Sequence, residues 1–251
     1  MMLKADSFNR AAAFVTIMKS ILSPGLAFAL LIGNAFAANP KPAGEPSLVK
    51  VEDVPGLPRV LIIGDSISMG YTVPVRDLLK GKANVHRIPT NGGPTTNGLK
   101  NLPAWLGKSK WDVIHFNWGL HDLKSVLDDP NKMVAVNTPG SHYQVKLEDY
   151  EKNLAALVTQ LKATGAKLIW CNTTPVPEGS QGRVGGNEMK FNEAAARVMK
   201  TSGIPTDDLR THALAKIKEI QLPANVHYTP AGYKYLAEKV AEEIAKALPK
   251  K

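Results

Sequence analysis

Between Arg59 and Gly70 the chain runs through four consecutive aliphatic residues, Val60-Leu61-Ile62-Ile63, and stops abruptly at Gly64-Asp65-Ser66. Aliphatic side chains without polar alternation fit a strand covered on both faces, as in the centre of a parallel sheet. Gly64 lets the backbone turn with no Cβ in the way. Ser66 is thereby delivered to the carboxyl end of a buried strand, with a helix starting behind it, where open α/β sheets bind their ligands. A strand ending in Gly-x-Ser also suits a serine that merely caps a helix. The rest of the chain has to separate the two readings.

That remainder carries strand-like runs at 84–88, 112–118, 167–171 and 204–206 among helical patterns, the clearest over 147–164, 187–202, 211–220 and 230–248. Strand and helix in alternation predict a parallel sheet of about five strands with helices on both faces. Residues 59–251 read as one domain, long enough to bury a core without staples. The single cysteine, Cys171, closes the apolar run Leu168-Ile169-Trp170 and reads as a buried thiol.

Residues 1–37 read as a signal peptide. Lys4, Arg10 and Lys19 precede a mostly apolar run from Ile21 to Ile32, and Ala35-Phe36-Ala37 ahead of Ala38 has the small-x-small pattern of a cleavage site. The run includes Ser23, Pro24 and Gly25 and falls short of the ~20 apolar residues of a membrane span. The expectation is a secreted or periplasmic protein with no stable membrane anchor after cleavage. Residues 38–58 hold five prolines and read as an extended lead-in. Residues 1–37 carry three Lys/Arg and one Asp, so their removal takes the formal charge from +9 to +7. The lysines are scattered, with no basic run interleaved with aromatics, which argues against nucleic acid. Many fall on solvated helix faces such as 148–162 and 234–246. The balance suits a polyanion, such as an acidic or sulfated polysaccharide, or the envelope surface.

The segments after each strand are rich in polar residues and glycine. Thr90-Asn91-Gly92-Gly93-Pro94-Thr95-Thr96-Asn97-Gly98 follows the second strand and can turn backbone N–H groups toward an anion. Asn117-Trp118-Gly119-Leu120-His121-Asp122 follows the third. Asn172-Thr173-Thr174-Pro175-Val176-Pro177 follows the fourth and leads to a glycine-rich stretch around Arg183. Val226-His227-Tyr228-Thr229-Pro230 sets a histidine just ahead of the last helix.

Strand-Gly64-Asp65-Ser66, Gly93-Pro94-Thr95, Gly119-Leu120-His121-Asp122 and the late His227 together resemble the four blocks of the SGNH (GDSL-type) hydrolases, in order, from about residue 59 to 248. The resemblance implies a flavodoxin-like three-layer α/β/α sandwich and serine-dependent ester hydrolysis, in a family that attacks lipids, thioesters and acetylated carbohydrates. It makes Ser66 the nucleophile and His227 the base that takes its proton and later returns it to the leaving alcohol. It assigns the oxyanion to the N–H groups of Ser66 and Gly93 and to a side-chain donor from the third block.

Two positions depart from the family pattern. His121 stands where the family has asparagine. A neutral imidazole donates one hydrogen bond and a protonated one would hold negative charge more strongly. His121 as a simple strand cap is the other reading, and Asn117 is a second candidate donor. The family's aspartate three residues before the histidine is Ala224 here, in Pro223-Ala224-Asn225-Val226-His227. Three outcomes stay open: a Ser-His dyad with the imidazole held by a carbonyl or by Asn225, an acid arriving from Asp207 or Asp208, or a protein that binds without turnover.

On the substrate side, the aperiodic segment Ser125–Val145, with Asp128, Asp129, Asn131, His142 and Tyr143, is expected to form a cleft wall. Asp65, Asn117, Trp118, Asn172, Arg183 and Tyr228 are the candidate substrate contacts, a polar and aromatic mix that suits sugar rings. No long apolar lid is visible. The expected activity is hydrolysis of a carbohydrate ester, an anionic carbohydrate included, with an O-acetyl group as the leading expectation. No metal or other cofactor is expected, since no His/Asp/Glu cluster has ligand spacing. Cleavage of a sulfate ester by the same serine machinery, and non-catalytic glycan binding, are the alternatives.

Overall fold

The computed structural model describes residues 45–129 and 132–250; the expected signal peptide and the start of the lead-in lie outside them. Seven strands occur in chain order: β1 (Arg59–Ile63), β2 (Asn84–Arg87), β3 (Val113–Phe116), β4 (Ser125–Val126), β5 (His142–Tyr143), β6 (Lys167–Cys171) and β7 (Thr206–Asp207). Five of them form one parallel sheet in the order β2-β1-β3-β6-β7. The β1 aliphatics Val60 to Ile63 are at most 1% exposed, as expected of a strand covered on both faces. Each contributes roughly 1.5–3 kcal/mol relative to exposure.

The helices are α1 (Ser66–Leu78), α2 (Thr95–Leu106), α3 (Leu147–Lys162), α4 (Glu188–Ser202), α5 (Leu209–Leu214), α6 (Ile217–Ile220) and α7 (Pro230–Ala247). The chain leaves β1 toward β2 and then doubles back to β3, so right-handed crossovers put α1 on one face and α2 on the other. Helix α7 packs beside α1, while α2, α3 and α4 lie side by side. This is the three-layer α/β/α sandwich. The stripe Leu236, Ala237, Val240, Ala241 and Ile244 buries one face of α7. Thr229 caps that helix by accepting from the Gly232 N–H at 3.0 Å, and Pro230 occupies its first turn.

Several elements differ from the sequence expectation: β3 is Val113–Phe116 rather than 112–118, and the short β4 and β5 fall in the segment read as aperiodic. The helix expected over 211–220 is two, because Lys216 leaves helical geometry at φ −130°, and Ile217 packs against the core beyond that break. The last strand is Thr206–Asp207 rather than 204–206, with Pro205 supplying only its carbonyl, to the Trp170 N–H. The lead-in is anchored. Pro46–Leu48 forms a 3-10 turn, Arg76 donates to the carbonyls of Pro46 and Val49, and Asn84 bonds Val54 and Leu57.

Candidate active site

Strand β1 lies between β2 and β3, so the crevice above its carboxyl end is the topological switch point of the sheet. Gly64 ends the strand there. Its carbonyl accepts from the Gly92 N–H at 2.9 Å, and a Cβ on Gly92 would lie 2.8 Å from that oxygen, so the second loop touches the nucleophile turn only because residue 92 is glycine. Asp65 caps α1 by accepting from the Ile67 N–H at 2.9 Å. Ser66 is the first residue of α1, and its N–H therefore lies outside the helical ladder.

Arg87, at the end of β2, locks this turn. Its guanidinium donates to the carbonyls of Gly64 (2.8 Å) and Asp65 (3.0 Å), to the Ser68 hydroxyl (2.7 Å), and to the carbonyls of Ile88 (3.1 Å) and Thr90 (2.6 Å). Burial lowers its pKa to about 10, so it remains a cation at neutral pH. No motif marks Arg87 in the sequence; its one signal is a charged residue closing a strand that the nucleophile strand pairs with. Arg87→Met should cost about 3 kcal/mol or more, since buried carbonyls lose their donors. Calorimetry would read the lowered Tm, and ester turnover should fall with the loosened turn. Unchanged stability and turnover would remove Arg87 from the site.

The Ser66 hydroxyl and His227 Nε2 are 2.8 Å apart, across 161 residues of sequence. On the far side of the ring, Nδ1 is 2.8 Å from Asn225 Oδ1. The same oxygen accepts from the His227 backbone N–H at 3.0 Å. A backbone N–H is always a donor, so the Asn225 atom facing the histidine must be the amide oxygen and not its NH₂. Nδ1 then has to carry the proton. Nε2 is left with its lone pair toward Ser66, the tautomer a general base needs.

Neither aspartate considered as a substitute acid bonds to His227. Asp207 is fully buried and pairs with His115 at 2.9 Å, close to Cys171. Asp208 caps α5 at the Thr211 N–H (3.1 Å) and accepts from Asn172 Nδ2 (2.6 Å). The nearby charge is Asp65, whose carboxylate opposes the lowering of the His227 pKa. Burial is the main cause of that lowering, and Arg183 adds to it. The imidazole is accordingly neutral, and competent as a base, at neutral pH.

On the oxyanion side, His121 is half-buried and makes no side-chain hydrogen bond among the described residues. Burial lowers its pKa, with Asp65 opposing and Lys124, Arg183 and His227 reinforcing. A neutral donor therefore faces the site. The Gly93 N–H, expected to be free for the oxyanion, donates to Asn91 Oδ1 at 2.9 Å, so it becomes available only when Asn91 gives way. Gly93 has φ +63°, which favours glycine. Asn117 is not a free donor, because its Nδ2 donates to the Cys171 carbonyl at 2.8 Å and to the Thr173 hydroxyl at 3.4 Å.

Several expected substrate contacts are structural instead. Trp118 is 1% exposed, packed under Gly98, and Tyr228 is 3% exposed, so neither ring can face a ligand. Asn172 is engaged at both ends, donating to Asp208 and accepting from the Arg210 N–H at 2.8 Å. Asp65 is buried as a cap and charge. Arg183 stands by the site, its Nε donating to the Leu120 carbonyl at 2.8 Å, which steadies the loop that carries His121. The segment 125–145 supports this edge. Its β4–β5 ribbon is antiparallel, the Ser125 N–H donates to the Gly182 carbonyl at 2.7 Å, and Tyr143 accepts from Asn187. Asn131 lies outside the described residues.

Beside Gly93 and His121 runs an open groove of about 630 Å³, walled by Asn91, Asn97, Lys100, Lys124 and Gln144 and free of large apolar residues. A nucleophile, a base in the right tautomer, donors for a developing oxyanion and a polar groove are what acyl transfer from an ester requires.

Residues 62–235 match the model of the GDSL-like lipase/acylhydrolase family. The fold is similar to that of a lipase/acylhydrolase from Enterococcus faecalis, at 18% identity and a TM-score of 0.63, covering 78% of this chain and 99% of that one. It is similar also to an acetylxylan esterase from Geobacillus stearothermophilus, at 18% identity and a TM-score of 0.59, covering 74% and 94%. At these identities the likeness is one of fold. A search of curated proteins finds no match.

Proposed function

The chain belongs to the GDSL-like lipase/acylhydrolase family, and from that premise we propose that it is an exported esterase that removes acetyl groups from a carbohydrate. Export rests on the sequence of residues 1–37. In the reaction, Ser66 Oγ attacks the ester carbonyl as His227 Nε2 takes its proton. The tetrahedral oxyanion is held by the Ser66 N–H and by His121, joined by Gly93 once Asn91 moves. The C–O bond to the sugar breaks, and His227 returns the proton to the departing hydroxyl. Water, deprotonated by the same imidazole, then releases acetate from Ser66.

The observation that carries the hydrolase reading is the continuous chain from Ser66 Oγ through the His227 ring to Asn225 Oδ1, at 2.8 Å per step. What supports a sugar over a fatty acyl substrate is the groove, whose amides and lysines match hydroxyls and which presents no large apolar side chain to an alkyl chain. Acetyl is favoured over sulfate by the lowered pKa of His121, since a sulfate ester's more anionic transition state calls for a cation there.

The test is acetate release from acetylated polysaccharides, alongside aryl acetate and aryl decanoate. Short-chain aryl turnover with acetate release from at least one glycan is expected. Preference for the decanoate, with no release from any glycan, would overturn the carbohydrate assignment. His121→Ala should lower kcat by roughly 10²-fold with little change in KM, as for a donor used in the transition state. A raised KM at constant kcat would instead make His121 a ground-state contact.

A further inference from the structure

The groove beside the oxyanion site is one-sided in charge. Lys100, Lys124 and His121 line it, and no Asp or Glu contributes to its wall. Neither lysine pairs with a carboxylate among the described residues, although seven other Lys and Arg residues there do: Lys50, Arg59, Lys152, Arg197, Arg210, Lys239 and Lys246. Burial, reinforced by Arg183, presses the Lys124 ammonium toward neutrality, a cost that an anion in the groove would relieve. Gln144 stands on the same wall. A side-chain amide on that wall can exchange hydrogen bonds with sugar hydroxyls.

On these grounds, and resting on the carbohydrate-esterase reading, we propose that the groove is a subsite for a sugar ring bearing an anionic group, carboxylate or sulfate, next to the acetylated ring. Lys100 and Lys124 take the anion as point charges, and the Gln144 side-chain amide pairs with a ring hydroxyl. The preferred substrate is then an O-acetylated acidic polysaccharide rather than a neutral one. With both lysines at a solvent-open wall, the attraction is screened over about 8 Å at physiological ionic strength, so the preference should weaken with salt.

Binding without turnover isolates the subsite. Full-length Ser66→Ala protein would be titrated calorimetrically with unesterified oligogalacturonate, with a sulfated galactan oligosaccharide and with a neutral xylo-oligosaccharide of the same length. At least one anionic ligand should bind tenfold or more tighter than the neutral one. Added salt should weaken it, and Lys100→Gln/Lys124→Gln in the same background should lose tenfold or more, with Tm confirming an intact fold. Preference for oligogalacturonate identifies the anion as carboxylate, and preference for the galactan identifies it as sulfate. Equal binding of all three, or anionic binding that survives the double substitution, overturns the proposal. An active esterase lacking the preference sinks the subsite alone, whereas selective binding by a protein that cleaves no ester keeps the subsite and sinks the hydrolase reading.

Discussion

Ser66→Ala should lower ester turnover by roughly 10⁴- to 10⁶-fold, the range seen when a serine hydrolase loses its nucleophile. The substitution deletes one hydroxyl from a half-buried position, and that hydroxyl bonds only to His227 Nε2 among the described residues. Everything that shapes the turn is left in place: the Asp65 cap, the Gly92–Gly64 contact and the Arg87 fork act on backbone groups of neighbouring residues and on the Ser68 hydroxyl. Stability should therefore change by less than about 0.5 kcal/mol. Steady-state kinetics on an aryl acetate, with thermal melting as the control for folding, reads both. A variant that keeps a tenth of wild-type turnover would show that another group attacks the ester.

The fold was legible because its signals are local. A four-residue aliphatic run, a glycine turn and alternating periods place β1, β6, α3, α4 and α7 to within two residues, since burial on both faces leaves a strand no freedom to be polar. The positions of Ser66 and His227 were legible from the family blocks. Residues whose role depends on what lies across the sheet were not. Arg87 reads as an ordinary charged strand residue until β2 is seen beside the nucleophile turn. His115, Cys171 and Asp207 sit on three different strands and meet only because those strands are neighbours in the sheet. Trp118 and Tyr228 failed as substrate contacts for a related reason. An amphipathic ring near a strand end serves a cleft or a core equally well, and only the packing decides which.

The vacant acid position leads to the second large effect, because the structure separates two jobs that one carboxylate usually performs. Asn225 orients the imidazole and fixes its tautomer without carrying charge, and Asp65 supplies negative potential without bonding to the ring. When a triad aspartate is replaced by asparagine in a serine protease, the wrong tautomer results and kcat drops about 10⁴-fold. That failure is avoided here, because the His227 backbone N–H pins the amide oxygen toward Nδ1. Asn225→Ala removes the pin and should lower kcat by roughly 10²-fold at nearly constant KM.

Asn225→Asp keeps the shape and places a carboxylate 2.8 Å from Nδ1. Stabilising the imidazolium formed in the transition state should raise kcat about tenfold. It should also move the acid limb of kcat/KM. In the natural protein burial holds the His227 pKa below 6.5, so the neutral base persists, and activity survives, to lower pH. The new carboxylate favours the protonated ring, the pKa rises, and the limb shifts to higher pH. Ala224→Asp should gain nothing, although it restores the family residue, because the only N–H on the far side of the ring is already taken by Asn225. A wild-type rate in Asn225→Ala, or a clear gain in Ala224→Asp, would show that His227 is oriented from position 224 during catalysis and that the Asn225 contact is incidental.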